Sequence, residues 1–355
     1  MSAVDAARGV RVGEELDVEA VTNWLKRDMP DLQGMPEVTQ YVGGASNWTY
    51  RLNFADRDLV LRRPPAGSKA KSAHDMAREY ALQKRLRPLY PLVPEMVALC
   101  QDPSVLGSDF YLMERLDGLI LRANLPKDVS LSTSQVRRLC INVLDQLIAL
   151  HNIDYRAAGL SDIGKGAGYC RRQVDGWSNR YMQALTWNVP RFRKVRAWLH
   201  RNVPEDSGTC IIHNDWRFDN VVLDRRDPTR VVGVLDWELA TLGDPLMDLG
   251  CMLAYWVQSD DDPLMRSARR QPTNLEGMLT RSEVVAYYMQ ATGRKSIDWT
   301  FYEVFGLFRL AAIAQQIYFR YHHKQTRNPA FRHYWLLIHA LHRRCLRAIA
   351  TSPHR

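Results

Sequence analysis

Ile211-Ile212-His213-Asn214-Asp215-Trp216-Arg217-Phe218-Asp219-Asn220 is the stretch from which fold and chemistry both follow. Two apolar β-branched residues lead into a polar loop, and Val221-Val222-Leu223 resumes the apolar run at once. The pattern reads as strand, loop, strand. A further strand over residues 231–235 delivers Asp236-Trp237-Glu238, with Asp236 sixteen residues beyond Asn220. The hairpin between them can bring Asn220 and Asp236 to one point. Phosphoryl transfer from ATP needs a carboxylate where an acceptor hydroxyl loses its proton, and hard oxygen donors that hold a divalent cation on the phosphates. Asp215 offers the first. The Asn220 amide oxygen and the Asp236 carboxylate offer the second, and both suit Mg2+. His-x-Asp alone recurs by chance; the full H-x-D-x-x-x-x-N spacing with a second aspartate is far more specific. A metal-dependent hydrolase with His213, Asp215 and Asp236 as ligands is the rival reading. His213 reads as a brace for the loop, without proton chemistry.

Working toward the N-terminus, Asp17 caps a helix whose Val18, Val21, Trp24 and Leu25 share one face, and Pro30 stops it. Residues 38–41, 48–54 and 59–62 follow as strands, the second by strict alternation of Trp48, Tyr50, Leu52 and Phe54 with polar residues. Residues 73–86 read as a helix ending before Pro88. Two more strands, 96–100 and 110–114, are joined by a polar loop. Strand, strand, strand, helix, strand, strand makes a small antiparallel lobe carrying one helix, and residues 114–118 read as a hinge. On the C-terminal side, Ser132-Thr133-Ser134-Gln135 is a capping box. The helix behind it places Val136, Leu139, Cys140, Val143, Leu144 and Leu147 on one face, with His151 at its end as a satisfied core or capping histidine. Helices over 171–184 and 191–201 precede the catalytic stretch. From about Pro245 onward the chain reads helical, broken by a polar loop over 259–274.

These motifs resemble the aminoglycoside phosphotransferase and choline kinase superfamily, relatives of the protein kinases. The His213–Asn220 stretch, the Leu235–Glu238 stretch and Thr241-Leu242-Gly243-Asp244-Pro245-Leu246-Met247-Asp248-Leu249-Gly250 carry the likeness. Leu59-Val60-Leu61-Arg62-Arg63-Pro64-Pro65, Arg78-Glu79-Tyr80 and Cys170-Arg171-Arg172-Gln173 narrow it to one branch, which includes the kinase-like domain found ahead of some long acyl-CoA dehydrogenases. The resemblance spans about residues 35–345. It implies an α+β, protein-kinase-like two-lobed fold, with a nucleotide-binding lobe over 1–114 and a catalytic and substrate lobe over 115–355. It also implies an ATP- and Mg2+-dependent kinase of a small-molecule hydroxyl. Asp215 is then the catalytic carboxylate, and Asn220 and Asp236 hold the metal. Gly43, Gly44, Ser46 and Asn47 cover the nucleotide; Arg62, Glu79 and Glu114 complete its site. Glu238 is either an outer metal ligand or a loop carboxylate, Asp248 braces the catalytic loop, and Asp219 and Asp244 are capping or turn residues. One departure stands out: the strand-three position that usually carries a lysine paired to the helix glutamate carries Arg62. Arginine can chelate phosphate oxygens in a fork, though its bulk and reach differ from those of lysine.

The whole chain limits the remaining classes. With 355 residues, 46% hydrophobic and 25% charged, it can bury a large core. Arg309 interrupts the apolar run over 304–319, so no membrane span is expected. Residues 1–16 carry five charges and no apolar block, which points to no secretory signal and, by default, a cytoplasmic site. Six widely spaced cysteines read as reduced, buried thiols. The formal charge of +9 favours anionic partners, but the basic residues are scattered and match no nucleic-acid module. An anionic small-molecule acceptor fits better than a polycationic drug, with Arg309, Arg320, His322, His323, Lys324, Arg327, Arg343 and Arg344 in the last third. Solvated helix faces would also explain these charges. The branch likeness implies a hydroxyacyl-CoA acceptor, with Trp237, Tyr255, Trp256, Phe305, Phe308, Tyr318 and Tyr321 as candidates to line an acyl site or to fill the core. Alternatives left open are an aminoglycoside or amino-alcohol kinase and a nucleotide-binding pseudokinase or interaction module.

Overall fold

A computed structural model describes residues 7–41, 47–65 and 75–352. Period-two alternation builds the N-terminal sheet. Strands β1 (Glu37–Gln40), β2 (Trp48–Asn53), β3 (Asp58–Arg63), β4 (Met96–Cys100) and β5 (Phe110–Glu114) lie in the order β1-β2-β3-β5-β4, all antiparallel. Leu59, Leu61, Phe110 and Leu112 point to one face, where Val21 and Leu25 of helix α1 (Val18–Asp28) cover them. Val60, Tyr111 and Met113 point to the other, against Met76 and Tyr80 of α2 (Met76–Leu86). Asp17 caps α1 through the Ala20 amide at 2.9 Å. The expected lobe helix is α2, and α1 packs on the opposite face of the same sheet. The β4–β5 connection, expected as a plain loop, contains a single helical turn, α3 (Pro103–Leu106). Asp102 caps it, Pro103 starts it, and Gly107 ends it in the left-handed region at φ 75°.

Beyond Glu114 the chain is mainly helical. A two-residue strand β6 (Leu119–Ile120) precedes α4 (Thr133–His151), whose capping box closes on Ser132 and Gln135 and whose expected apolar face is buried. Then come α5 (Tyr169–Gln183), α6 (Arg193–Arg201), β7 (Cys210–Ile212), β8 (Val221–Leu223), β9 (Val231–Val234) and β10 (Thr241–Gly243). Helices α7 (Pro245–Ala254), α8 (Pro263–Ser267), α9 (Arg281–Ala291), α10 (Thr300–His322) and α11 (Tyr334–Thr351) finish the chain. Strands β8 and β9 form the expected hairpin, with β6 as a third strand, and β7 pairs with β10.

Glycines 250 and 306 let α7 and α10 touch backbone to backbone. A Cβ on Gly306 would stand 2.2 Å from the Gly250 carbonyl oxygen, and one on Gly250 would stand 2.7 Å from that of Tyr302. All six cysteines are buried and free. Of the aromatic candidates, Trp237, Trp256, Phe305, Phe308 and Tyr318 are core residues. Among the described residues no helix is long and apolar enough to cross a membrane.

Candidate active site

The loop between β7 and β8 is pinned from below by the first turn of α7. Asp244 caps that helix, accepting the Leu246 and Met247 amides at 2.8 and 2.9 Å. One turn on, Asp248 accepts the amides of His213 at 2.9 Å and Asn214 at 2.8 Å. His151, from the end of α4, meets the same carboxylate at 3.2 Å and the Tyr288 hydroxyl at 2.7 Å. Burial alone would raise the Asp248 pKa. The His151 hydrogen bond, the neighbouring imidazoles and the His213 amide hold it below the usual carboxylate range.

His213 is fully buried, with contacts that assign its tautomer. Nδ1 accepts the Asp215 amide at 3.3 Å, so the proton sits on Nε2, which donates to the Leu235 carbonyl at 3.0 Å. The ring thus ties the loop between β7 and β8 to the turn that carries Asp236. Both segments need a left-handed residue, Asn214 and Asp236 at φ 66°, a region that asparagine and aspartate tolerate best among residues with a side chain.

Four residues from the defining motif gather here. Asn220 donates its amide to the Asp215 carbonyl at 2.8 Å and to its carboxylate at 3.0 Å, while the Leu235 amide donates to the Asn220 carbonyl at 2.8 Å. With the Asn220 NH2 spent on Asp215, its side-chain oxygen is the group left to meet a cation. Arg217 pairs with Asp215 at 3.1 Å and lies over the Tyr255 ring, 5.1 Å from its centroid. Asp219 does not act as a cap: it pairs with Arg217 at 3.1 Å and Arg122 at 3.5 Å, although burial keeps its pKa raised.

Arg62 sits among carboxylates. Its guanidinium reaches Glu79 at 3.2 Å and both Asp236 and Glu238 at 2.8 Å. Tyr111 donates to Glu79 at 2.8 Å, and Asn47 donates to Glu238 at 3.0 Å. Burial works against the charge of Arg62, and the ring of anions, Glu79 foremost, overrides it, leaving the guanidinium firmly protonated. Asp236 is only partly buried; that burial works against its charge, yet Arg62 holds it below the usual range. Glu79 goes the other way: burial, and the repulsion from Asp236, raise its pKa despite the arginine. The arginine that replaces lysine therefore keeps the expected glutamate partner and adds the expected metal ligand.

The remaining expected residues divide. Gly43, Gly44 and Ser46 lie outside the described residues. Glu114 ends β5 with its side chain exposed, and among the described residues nothing joins it to the Arg62 group. The basic residues of the last third scatter: Arg320, His322, His323, Lys324, Arg327 and Arg343 are exposed, and Arg344 pairs with Asp261 at 3.5 Å. Arg309 alone of these reaches the loop, donating to the Asn214 carbonyl at 2.9 Å. Arg78 went unassigned as a functional residue. It crosses from α2 to the carbonyls of Ala240 at 2.6 Å, Ile163 at 3.2 Å and Glu238 at 3.4 Å. Its place beside Glu79 was the available signal. A separate cluster of Cys170, Asp206 and Asp244 comes within 4.8 Å, but its carboxylates are spent on backbone amides, Asp206 on those of Tyr169 and Cys170 at 2.9 Å each.

The model of the phosphotransferase enzyme family matches residues 37–282. Acyl-CoA dehydrogenase family member 11 of Mus musculus is 33% identical over 318 residues, covering 86% of this chain and 40% of the relative. Family member 10 of the same organism is 35% identical over 320 residues, covering 89% of this chain and 30% of the relative. The chain thus spans less than half the length of these curated relatives. A solved Ralstonia eutropha structure, provisionally assigned as an aminoglycoside phosphotransferase, superimposes with a TM-score of 0.79 at 29% identity, over 95% of this chain and 99% of that one. With an antiparallel N-terminal sheet, a helical C-terminal region and the matched motifs in one cluster, this chain belongs to the phosphotransferase enzyme family, as a kinase of small molecules.

Proposed function

We propose that the chain transfers the terminal phosphoryl group of ATP, in the presence of Mg2+, to a hydroxyl of an anionic small molecule, with a hydroxyacyl-CoA as the first acceptor to test. The nucleotide would lie between a lobe of residues 1–114 and one of 115–355. The observation that carries the reading is the cluster of Asp215, Asn220 and Asp236, tied together by the Asn220–Asp215 bonds and the Leu235–Asn220 backbone bond.

Each residue has a role that follows from its setting. Asp215, fixed by Asn220 and Arg217, accepts the proton of the acceptor hydroxyl. A hard oxygen set fits Mg2+: the Asn220 amide oxygen and the ionised Asp236 carboxylate would hold it, with Glu238 behind. Bound there, the ion would neutralise phosphate charge. Arg62 carries the charge for the phosphates, with Glu79 orienting it as the partner expected of a lysine. Gly43, Gly44, Ser46 and Asn47 would cover the nucleotide, and Glu114 would mark the hinge edge of its site. His213 and Asp248 hold the loop in shape and take no part in proton transfer. The relatives' acyl-CoA names favour a CoA-linked acceptor for this chain.

A second reading has its own support. Arg62 occupies Asp236 and Glu238 at once, and an arginine locked there would leave a nucleotide-binding module without transfer. One assay separates the two: ATP consumption over hydroxyacyl-CoAs, amino alcohols and aminoglycosides, with ATP-induced thermal stabilisation measured beside it. The kinase reading expects turnover that Asp215→Ala lowers by roughly two to four orders of magnitude while ATP binding persists. Stabilisation by ATP with no acceptor consumed would establish the module instead.

A further inference from the structure

Two guanidinium groups beside the catalytic loop lack a carboxylate to neutralise them. Arg309, midway along α10, is only 5% exposed. It donates to the Asn214 carbonyl, and its guanidinium carbon lies 5.3 Å from the Trp177 ring centroid. Arg180, on α5, lies 4.5 Å from the same ring and is exposed at its outer end. Among the described residues neither makes an ion pair. The groups facing Arg309 are Cys251, Tyr255, Tyr169 and Asp215. Burial pushes the first two up to about 11 and about 12 and raises Tyr169 as well, so all three stay neutral. Asp215 is already engaged by Arg217 and Asn220. Burial, and then the charge of Arg309, depress the pKa of Arg180, so the two cations repel each other.

Buried charges in proteins are ordinarily paired. The other arginines at this centre obey the rule: Arg62 meets three carboxylates and Arg217 meets two. Buried Arg309 is the exception; it adjoins the loop that carries Asp215, and exposed Arg180 shares its Trp177 ring. That ring is held still, because Trp177 Nε1 donates to Gln173 one turn back at 3.1 Å. A flat aromatic wall with two planar forks suits a carboxylate or a phosphate oxygen group.

We propose that Arg180, Arg309 and Trp177 form the subsite for an anionic group of the acceptor, a carboxylate or a phosphate, whose hydroxyl is presented to Asp215. The inference rests on the phosphoryl-transfer reading and adds the element that selects the substrate. Arg180, on the surface, is the residue that can be changed without disturbing the core.

The test uses the full chain at saturating ATP and Mg2+, with hydroxy acids of several chain lengths, their neutral methyl esters, their CoA thioesters and amino alcohols. Arg180→Glu should raise KM for the anionic acceptors by at least about tenfold, leave kcat within about twofold and leave the methyl esters untouched. Arg180→Lys should fall between wild type and Arg180→Glu, since lysine keeps the charge and loses the fork. Free acids affected more than thioesters identify a carboxylate, and the reverse identifies a CoA phosphate. Turnover that responds to Arg180→Glu equally for esters and acids, or for neither, or that occurs with amino alcohols alone, overturns the subsite and leaves the kinase standing. A wild type that phosphorylates no acceptor of the panel overturns both.

Discussion

At the scale of single residues, the Asp248 carboxylate decides how the loop is held. Asp248 receives two backbone amides and an imidazole while almost fully buried. Asparagine in its place offers one acceptor oxygen and turns an NH2 toward donors. Asp248→Asn should cost about 1–3 kcal/mol of stability, the range for an unsatisfied buried group, and lower turnover by loosening the loop. The pH dependence has a definite sign. The folded pKa of Asp248 lies below its unfolded value, so its stabilisation is present above that unfolded value, near 4, and is lost as pH falls through the folded one. Urea melts at pH 6 and pH 3 should therefore show the gap between wild type and Asp248→Asn narrowing in acid; a gap that widens would contradict the charge assigned here. Arg62 was legible as a departure from lysine, and Glu79 as its partner. Its hold on Asp236 was not, because the two lie 174 positions apart and only the closed fold brings them to 2.8 Å.

At the scale of elements, legibility follows length and periodicity. The five strands of the first sheet and the capped α4 show in the sequence because alternation or a capping box runs over several residues. Strands β6 and β10, with two and three residues, lack the paired β-branched residues that mark β7 and β8, and their pairing comes from β8 and β7 across the fold. The Arg180–Trp177–Arg309 group was illegible for a related reason: it joins α5 to α10, and Arg309 looked like one more basic residue in a basic stretch. What sets Arg309 in place is the glycine contact three residues before it. Gly306→Ala would gain about 1 kcal/mol in helix propensity. Against that, its methyl would meet a backbone carbonyl at 2.2 Å, which no rotamer can relieve. Overpacking of this kind costs about 1–3 kcal/mol, so the net change should be destabilising. Thermal melts should show a lower Tm, and the acceptor KM should rise as Arg309 shifts from Asn214. A variant that melts above wild type would show that α7 and α10 have room to part freely.

At the scale of the whole molecule, one short turn gathers several of the ties between the N-terminal sheet and the helical region. Arg62 and Asn47 bind the Glu238 carboxylate, and Arg78 binds the Glu238 and Ala240 carbonyls just beside it. A backbone bond from Val234 to Leu92 at 2.8 Å adds a tie on the β9 side. The turn from Asp236 to Ala240 is thus both the expected cation site and a seat of the N-terminal sheet, so the set of that sheet and the shape of the proposed nucleotide site are coupled. Arg78 is the member of this joint that touches neither Asp215 nor the carboxylates around Arg62, and its removal tests the coupling cleanly. Charge-assisted hydrogen bonds contribute about 1.5–3 kcal/mol, so Arg78→Ala should weaken ATP binding by roughly tenfold or more while the catalytic loop stays intact. Hydrogen exchange should then quicken in α2 and around Ile163, and slow again when ATP and Mg2+ are added. Equal exchange in the variant and wild type, with unchanged ATP affinity, would mean that the other ties hold the two regions without Arg78 and that Arg78 merely fills the seam.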